Sequence, residues 1–386
     1  MSTAPGDMVQ VHALVAYPAS LLNRDDTGLA KRMPYGGVTR TRVSSQSLKK
    51  HWRDSLLIRG LGPMAVRSRA IYERLVARPL MTEHGASDAE ALAIARYLMG
   101  KTVDTKPVVD RATNTPTAQS SQLLVLTKAE TAHLLTLGVS ALTHLREQAI
   151  TVSGEKDVEK PLDAHFSKGV KETLPLLPAS LDTALFGRMV TSDVFARVDA
   201  AVSVAHAFTT HREASETDYF TAVDTLKDGD DDAGAGLIQE TELTSGVFYL
   251  YLVIDMVQLR SNLVGLIEDD PGLPERLAGA LVEAVATVSP GAKRGSTAPY
   301  AYAEFILTER GSAQPRSLAN AFLDPVPADG ANLMVASVSA LLDHRSRLAS
   351  MYGDTFTTCA ASIHEVEGID RVSLVDLIQR TFPAPE

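Results

Sequence analysis

After Val43, the residues Gln46, Lys49, Lys50 and Arg53 recur at offsets 0, 3, 4 and 7. On a helix that spacing sets all four on one face, while Leu48, Trp52 and Leu56 at i, i+4 and i+8 form an apolar stripe on another. Ser44 or Ser45 supplies the N-cap. The free N–H groups and positive dipole end at a helix start attract phosphate, and the Ser44, Ser45 and Gln46 side chains add uncharged donors. Arg40 and Arg42, just upstream, can fork onto phosphate oxygens, and Lys49 and Lys50 add point charge. Two readings follow: a phosphate clamp, or a solvated amphipathic helix with ordinary capping serines. Charge density weighs against the second, since Asn23 to Arg69 holds eleven Lys or Arg against three Asp.

Other candidates carry less. Asp25 and Asp26 form a carboxylate pair that could serve metal or general-base chemistry in a nuclease. Arg24 and Lys31 stand nearby, and no third carboxylate or histidine shares a spacing with the pair, so turn capping and loop salt bridges suffice. His206 and His211, five apart on an extended segment, point to opposite faces and make a poor metal pair. The run GAKRGST, with Gly291, Gly295 and Ser296, lacks the Gly-Lys-Ser/Thr ending of a nucleotide-binding loop, and Lys293 and Arg294 read either as touching a polyanion or, the favoured reading, as solubilising a turn. Phe248, Tyr249 and Tyr251 could stack bases, yet Val247, Leu250, Leu252 and Ile254 surround them, and core packing accounts for at least half. Cys359 is the only cysteine, which excludes an internal disulfide and a zinc site on paired cysteines. No metal or cofactor is expected.

The net charge of −10 argues against wholesale nucleic-acid binding. The basic window, however, is +8, and Glu216 to Glu242 sets nine acidic residues against Lys227 alone. That asymmetry points to a localised polyanion site or to head-to-tail contact between copies. No apolar run is long enough for a bilayer, and Met1 to Met8 lacks a secretory pattern, so a cytoplasmic location is expected.

With 386 residues, 45% of them hydrophobic, the chain can form more than one compact unit. Met8 to Tyr17, with Val9, Val11, Ala13 and Val15 alternating, predicts a half-buried strand. Ala19 to Val43 reads as a long loop, and the helix after it runs to about Arg59. Helical spacing returns over Met64 to Val76, Asp88 to Leu98 and Ala129 to Gln148. Strand-like runs follow at Thr183 to Val190, Ala200 to Phe208, Gly246 to Ile254 and Tyr300 to Leu307. Thr209 to Ser245 is a polar, acidic excursion with the apolar island Tyr219, Phe220, Ala222 and Val223, and reads as a projecting hairpin or loop. Helices at Pro274 to Val288 and Leu333 to Met351 could cover one sheet face. The order implies an α+β domain with an antiparallel sheet and two insertions.

The run LLNRDDTGLAKRMPYGGVTRTRVSSQSLKKHWR, from Leu21 to Arg53, closely resembles the opening of the CasC family, the backbone subunit of the type I-E Cascade antiviral complex. ALFGRMVTSD from Ala184, VDAAVSVAHAFTTH from Val198, DYFTAVDTL from Asp218, TSGVFYLYLVID from Thr244, VSPGAKR from Val288 and SLANAF from Ser317 resemble it in the same order. The resemblance implies a ferredoxin-like, RRM-related palm over 1–59, 181–208 and 246–386. A helical finger would be inserted at 60–180 and a thumb hairpin at 209–245. It also implies a noncatalytic ribonucleoprotein subunit that oligomerises along CRISPR guide RNA (crRNA), alongside neighbouring copies of itself and other Cascade subunits. Through the guide, such a subunit meets target DNA. The family's RNA-backbone contacts fall on Arg24, Lys31, Ser44, Gln46, Lys49 and Lys50. Its base-displacing thumb falls on Phe220, Thr221 and Val223, with Met189 packing beside the guide. Tyr219 stands where tryptophan is expected and Lys50 where arginine is common. The alternative is an RNA-cleaving backbone subunit using a loop aspartate, Asp25 or Asp26.

Overall fold

A computed structural model describes residues 7–103, 106–112, 116–166, 170, 174, 177–189, 194–222, 237–328, 332–365 and 369–384. The chain divides into two compact units. One comprises Met1–Gly60, Val202–Val257 and Glu275–Glu386, the other Leu61–Ala201 with Gln258–Pro274. The first unit opens with β1 (Met8–Ser20), β2 (Arg32–Tyr35), β3 (Val38–Val43), α1 (Ser45–Asp54) and α2 (Leu56–Arg59). The second continues with β4 (Val66–Ser68), a π-helical turn at Glu73–Ala77, α3 (Arg78–His84), α4 (Asp88–Thr102), β5 (Pro107–Val109), β6 (Pro116–Ser120), β7 (Leu124–Leu126), α5 (Lys128–Glu147), α6 (Glu155–His165) and α7 (Leu181–Phe186). Then come β8 (Val202–Val204), β9 (Ala207–Thr209), β10 (Ser215–Ala222), β11 (Leu237–Asp255), α8 (Met256–Asn262), α9 (Val264–Ile267) and α10 (Leu273–Thr287). The remaining elements are α11 (Arg294–Thr297), β12 (Ala303–Gly311), α12 (Leu333–Tyr352), β13 (Thr357–Ser362) and α13 (Leu374–Thr381).

The main sheet of the first unit runs β13-β12-β1-β11-β9-β3-β2, with β8 and β10 also pairing β11, and every pairing is antiparallel. β1 lies between β12 and β11 and is buried on both faces, where the alternation predicted one. Leu14 joins Phe208, Tyr249, Phe305, Phe322 and Leu341 in a core beneath α12. The polar members of that face each find a partner for one side-chain atom. His12 Nδ1 and the Tyr249 hydroxyl share a hydrogen bond of 2.9 Å, and Gln10 Oε1 accepts from the Tyr251 hydroxyl at 3.0 Å. Phe248 and Tyr249 are buried, and the half-buried Tyr251 packs against the same core, so these strand aromatics belong to the interior.

The expected loop over Ala19 to Val43 carries the β2–β3 hairpin. Its strands are short and polar, which hid them, and it turns at Gly36 and Gly37, with φ of 62° and 75°. Pro34 is tolerated because β2 is the sheet edge. A Cβ on Gly36 would stand 1.7 Å from the Leu323 carbonyl oxygen, which is backbone and cannot swing away. Gly36→Ala should therefore cost more than about 2 kcal/mol, read as a lower denaturant midpoint with an unchanged m-value.

The second unit is built around α4, α5 and α6, whose buried Ile94, Leu98, Leu134, Leu142, Val158 and Leu162 form one core. Ser87 with Glu90 and Thr127 with Glu130 are capping boxes that start α4 and α5. Gly138 of α5 admits Val76 and Leu80 at close range. Of the apolar run expected to be a strand over Thr183 to Val190, Val190 lies outside the described residues, and the residues up to Phe186 belong instead to the helix α7. Ser180 and Thr183 bond one another at its start, and Gly187, at φ 76°, ends it. A run this short does not distinguish the two periods. Residues 181–201, expected in the palm, lie in this helical unit, as do 258–274.

Candidate nucleic-acid interface

α1 is anchored by Leu48 and Trp52, each 1% exposed. Its first-turn amides are assigned one by one. Ser44 caps the helix, accepting from Ser47 N–H at 3.3 Å, and its own N–H donates to Asn23 Oδ1 at 2.9 Å. Ser45 N–H donates to His206 Nδ1 at 3.2 Å. The Gln46 N–H is the first-turn amide without an intramolecular acceptor among the described residues, and the Gln46 side chain is exposed. One helical turn on, Lys50 is exposed and 3.3 Å from Asp54. Lys49 is half-buried, and desolvation pushes its ammonium below the usual lysine range.

The loop before β2 is tied to this helix start. Lys31 N–H donates to the Asn23 carbonyl at 2.9 Å, and the Lys31 carbonyl accepts from Arg42 N–H at 2.8 Å. Arg24 is exposed and bridges Ala30. Arg42 donates through Nε to the Arg32 carbonyl at 3.2 Å and through Nη1 to His206 Nδ1 at 3.3 Å. Arg24, Lys31, Arg42, Ser44 and Gln46 thus belong to one hydrogen-bonded loop and helix start, with Lys49 and Lys50 on the Gln46 face. Ser44 is buried and serves as the cap.

Arg40 does not belong with them. Its side chain is completely buried and donates to the Tyr35, Thr209 and Phe322 carbonyls at 3.2, 3.1 and 2.7 Å. Counting charge placed it at a phosphate surface, whereas the strand pleat turns it inward to satisfy three backbone acceptors. Asp25 is likewise occupied. It accepts from the Thr27 hydroxyl at 2.8 Å and from Thr27 and Leu29 N–H at 2.9 and 3.0 Å, and these bonds, the Thr27 hydroxyl foremost, hold its carboxyl below the usual range. Asp26 is exposed. Among the described residues, no cluster of His, Cys, Asp and Glu could hold a metal ion, and no helix is long and apolar enough to cross a membrane.

Met189 is 92% exposed in the second unit. Phe220 and Thr221 lie on β10, opposite Gln239 and Ile238 of β11. Val223 falls outside the described residues. The excursion is a hairpin at its root, with Ser215 to Ala222 paired to Leu237 to Thr244.

His206 was weighed in the sequence only as a metal ligand with His211, since nothing there links it to a helix 161 residues away. Because the Arg42 guanidinium and the Ser45 N–H both donate to its Nδ1, the ring is neutral with its proton on Nε2. Desolvation and then the Arg42 charge lower its pKa below the ordinary histidine value. A depressed folded pKa contributes stability that is full above about pH 6.5 and is lost as pH falls toward the folded pKa. In an NMR pH titration the His206 ring should change later, on acidification, than an exposed histidine, with the Ser45 amide shifting in step.

The family profile described as CT1975-like protein matches residues 9–381, nearly the whole chain. The chain belongs to the CT1975-like protein family. This bears out the CasC-type resemblance carried by Leu21 to Arg53. Solved structures similar to this CT1975-like chain include the following two. A chain of a "CRISPR RNA-guided surveillance complex, pre-nicking" has a TM-score of 0.79 and 25% identity, covering 97% of this chain and 99% of that one. A chain of a "CRISPR RNA-guided surveillance complex" has a TM-score of 0.71 and 23% identity over the same shares, and shares the fold. No curated protein matches the sequence.

Proposed function

We propose that this chain is a subunit of a CRISPR RNA-guided surveillance complex and holds the guide RNA along its backbone. The observation that carries the reading is the start of α1, where exposed Arg24, Gln46 and Lys50 stand with the half-buried Lys31, Arg42 and Lys49 in a chain similar throughout to a subunit of such a complex. Phosphate contacts then supply affinity, and pairing by the guide supplies sequence specificity toward target DNA. In its finer form the reading is a type I-E backbone subunit that polymerises on the guide beside other Cascade subunits. The strand order β12-β1-β11-β9, with α1 after the first of these strands in sequence and α10 before the last, supports a ferredoxin-like palm. The capping of Asp25 by Thr27 and Leu29 supports a noncatalytic role.

Co-expression with a CRISPR array and partner subunits should yield this chain bound to RNA of discrete guide length. Isolation with its partners but free of nucleic acid at low salt would overturn the proposal. Complementary RNA incubated with the assembled complex and Mg²⁺ should stay intact. Regularly spaced cuts that disappear in Asp25→Asn/Asp26→Asn would instead establish the RNA-cleaving alternative.

A further inference from the structure

On β2, Arg32 meets two carboxylates at once: its Nε donates to Glu213 and its Nη2 to Glu242. These glutamates stand on the two legs of the β10–β11 hairpin. Glu213 lies just before β10, and Glu242 lies on β11 opposite Thr217. Their side chains are only 13% and 9% exposed. Backbone ties run in parallel. Ala30 N–H donates to Glu242 at 2.7 Å, and Glu213 N–H donates to the Thr39 carbonyl at 2.9 Å. The short stretch 30–32 therefore carries the proposed guide contact Lys31 and also grips both legs of the hairpin.

We infer that Arg32 is a positioning residue, which locks the two roots of the β10–β11 hairpin to the cation-bearing loop and sets the hairpin's direction toward the guide without touching RNA. Two edges of its guanidinium are committed to carboxylates, and Nη1 lies 3.5 Å from the Ala30 carbonyl. The Arg32 side chain is itself 33% exposed, but a phosphate reaching it would have to displace one of two largely buried carboxylates. The link to the guide rests on the function proposed above, whereas the coupling of loop to hairpin does not.

Hydrogen exchange of the full chain without RNA separates the two. In Arg32→Glu three carboxylates converge, and amides in 215–219 and 240–244 should exchange at least about tenfold faster while β1 and β12 keep their protection. Arg32→Glu/Glu242→Arg should restore the slow exchange, and the milder Arg32→Gln should give an intermediate rate. Unchanged exchange in both single variants would overturn the inference. In the assembled complex, Arg32→Glu should alter the nuclease-protection pattern of the guide, and the swapped pair should recover it. Recovered exchange without recovered guide binding would mean that Arg32 contacts phosphate, which also overturns it. If the unaltered chain binds no guide RNA, the proposed function fails while the exchange data still decide the coupling.

Discussion

Lys49→Ala/Lys50→Ala should lower guide RNA affinity by on the order of ten- to a hundredfold at low salt, equally for unrelated spacer sequences. Both lysines lie one helical turn beyond Gln46 on its face of α1. Lys50 meets the exposed Asp54, a surface pair within one helix worth little. Burial lowers the Lys49 pKa, so this ammonium is already partly stripped of water and loses less on meeting a phosphate. Each neutralised lysine should also remove about 0.7 from the slope of log affinity against log salt concentration for a single strand. Titrations at several salt concentrations read both quantities. A loss confined to one spacer sequence, or an unchanged slope, would mean that this face does not hold the RNA backbone.

The largest effect on stability should come from Trp52→Ala. Trp52 is 1% exposed and is among the largest completely buried side chains of the chain. With Leu48 it is what seats α1, whose opposite side is cationic and could not bury itself. Truncation should cost about 3–5 kcal/mol, seen in calorimetry as a fall of about 10 °C in the melting of the first unit. Guide affinity should fall with it, since the Gln46 amide is aimed by the seated helix. The lysine variants should leave the melting temperature within about 1 °C. This contrast separates loss of the platform from loss of its charges.

Features that depend on neighbours a few residues apart were legible. A serine cap at Ser44 or Ser45, the Leu48–Trp52 stripe and the offsets of Gln46, Lys49 and Lys50 describe α1 closely, because a helix is closed by bonds spanning one turn. The helix expected from Leu333 to Met351 and the strand from Gly246 to Ile254 were equally clear, being long and strongly apolar. The β2–β3 hairpin was not, because Arg32 to Val43 alternates little and holds Pro34. The short α7 was misread for want of a second turn that would show its period.

The cations divide along the same line. Their number and density near α1 could be read from residue types, as could the capacity of the helix start to bind phosphate. Which arginine faces outward could not. Arg40 is drawn inside by carbonyls 169 and 282 residues away, Arg42 is steadied by a histidine 164 residues away, and Arg32 is held by glutamates 181 and 210 residues away. Such partners are chosen by strand register, in which a shift of one residue would exchange the two faces of β3 and turn Arg40 outward. Local chemistry therefore explains why this segment can hold a polyanion, and the sheet explains which of its side chains are left to do so.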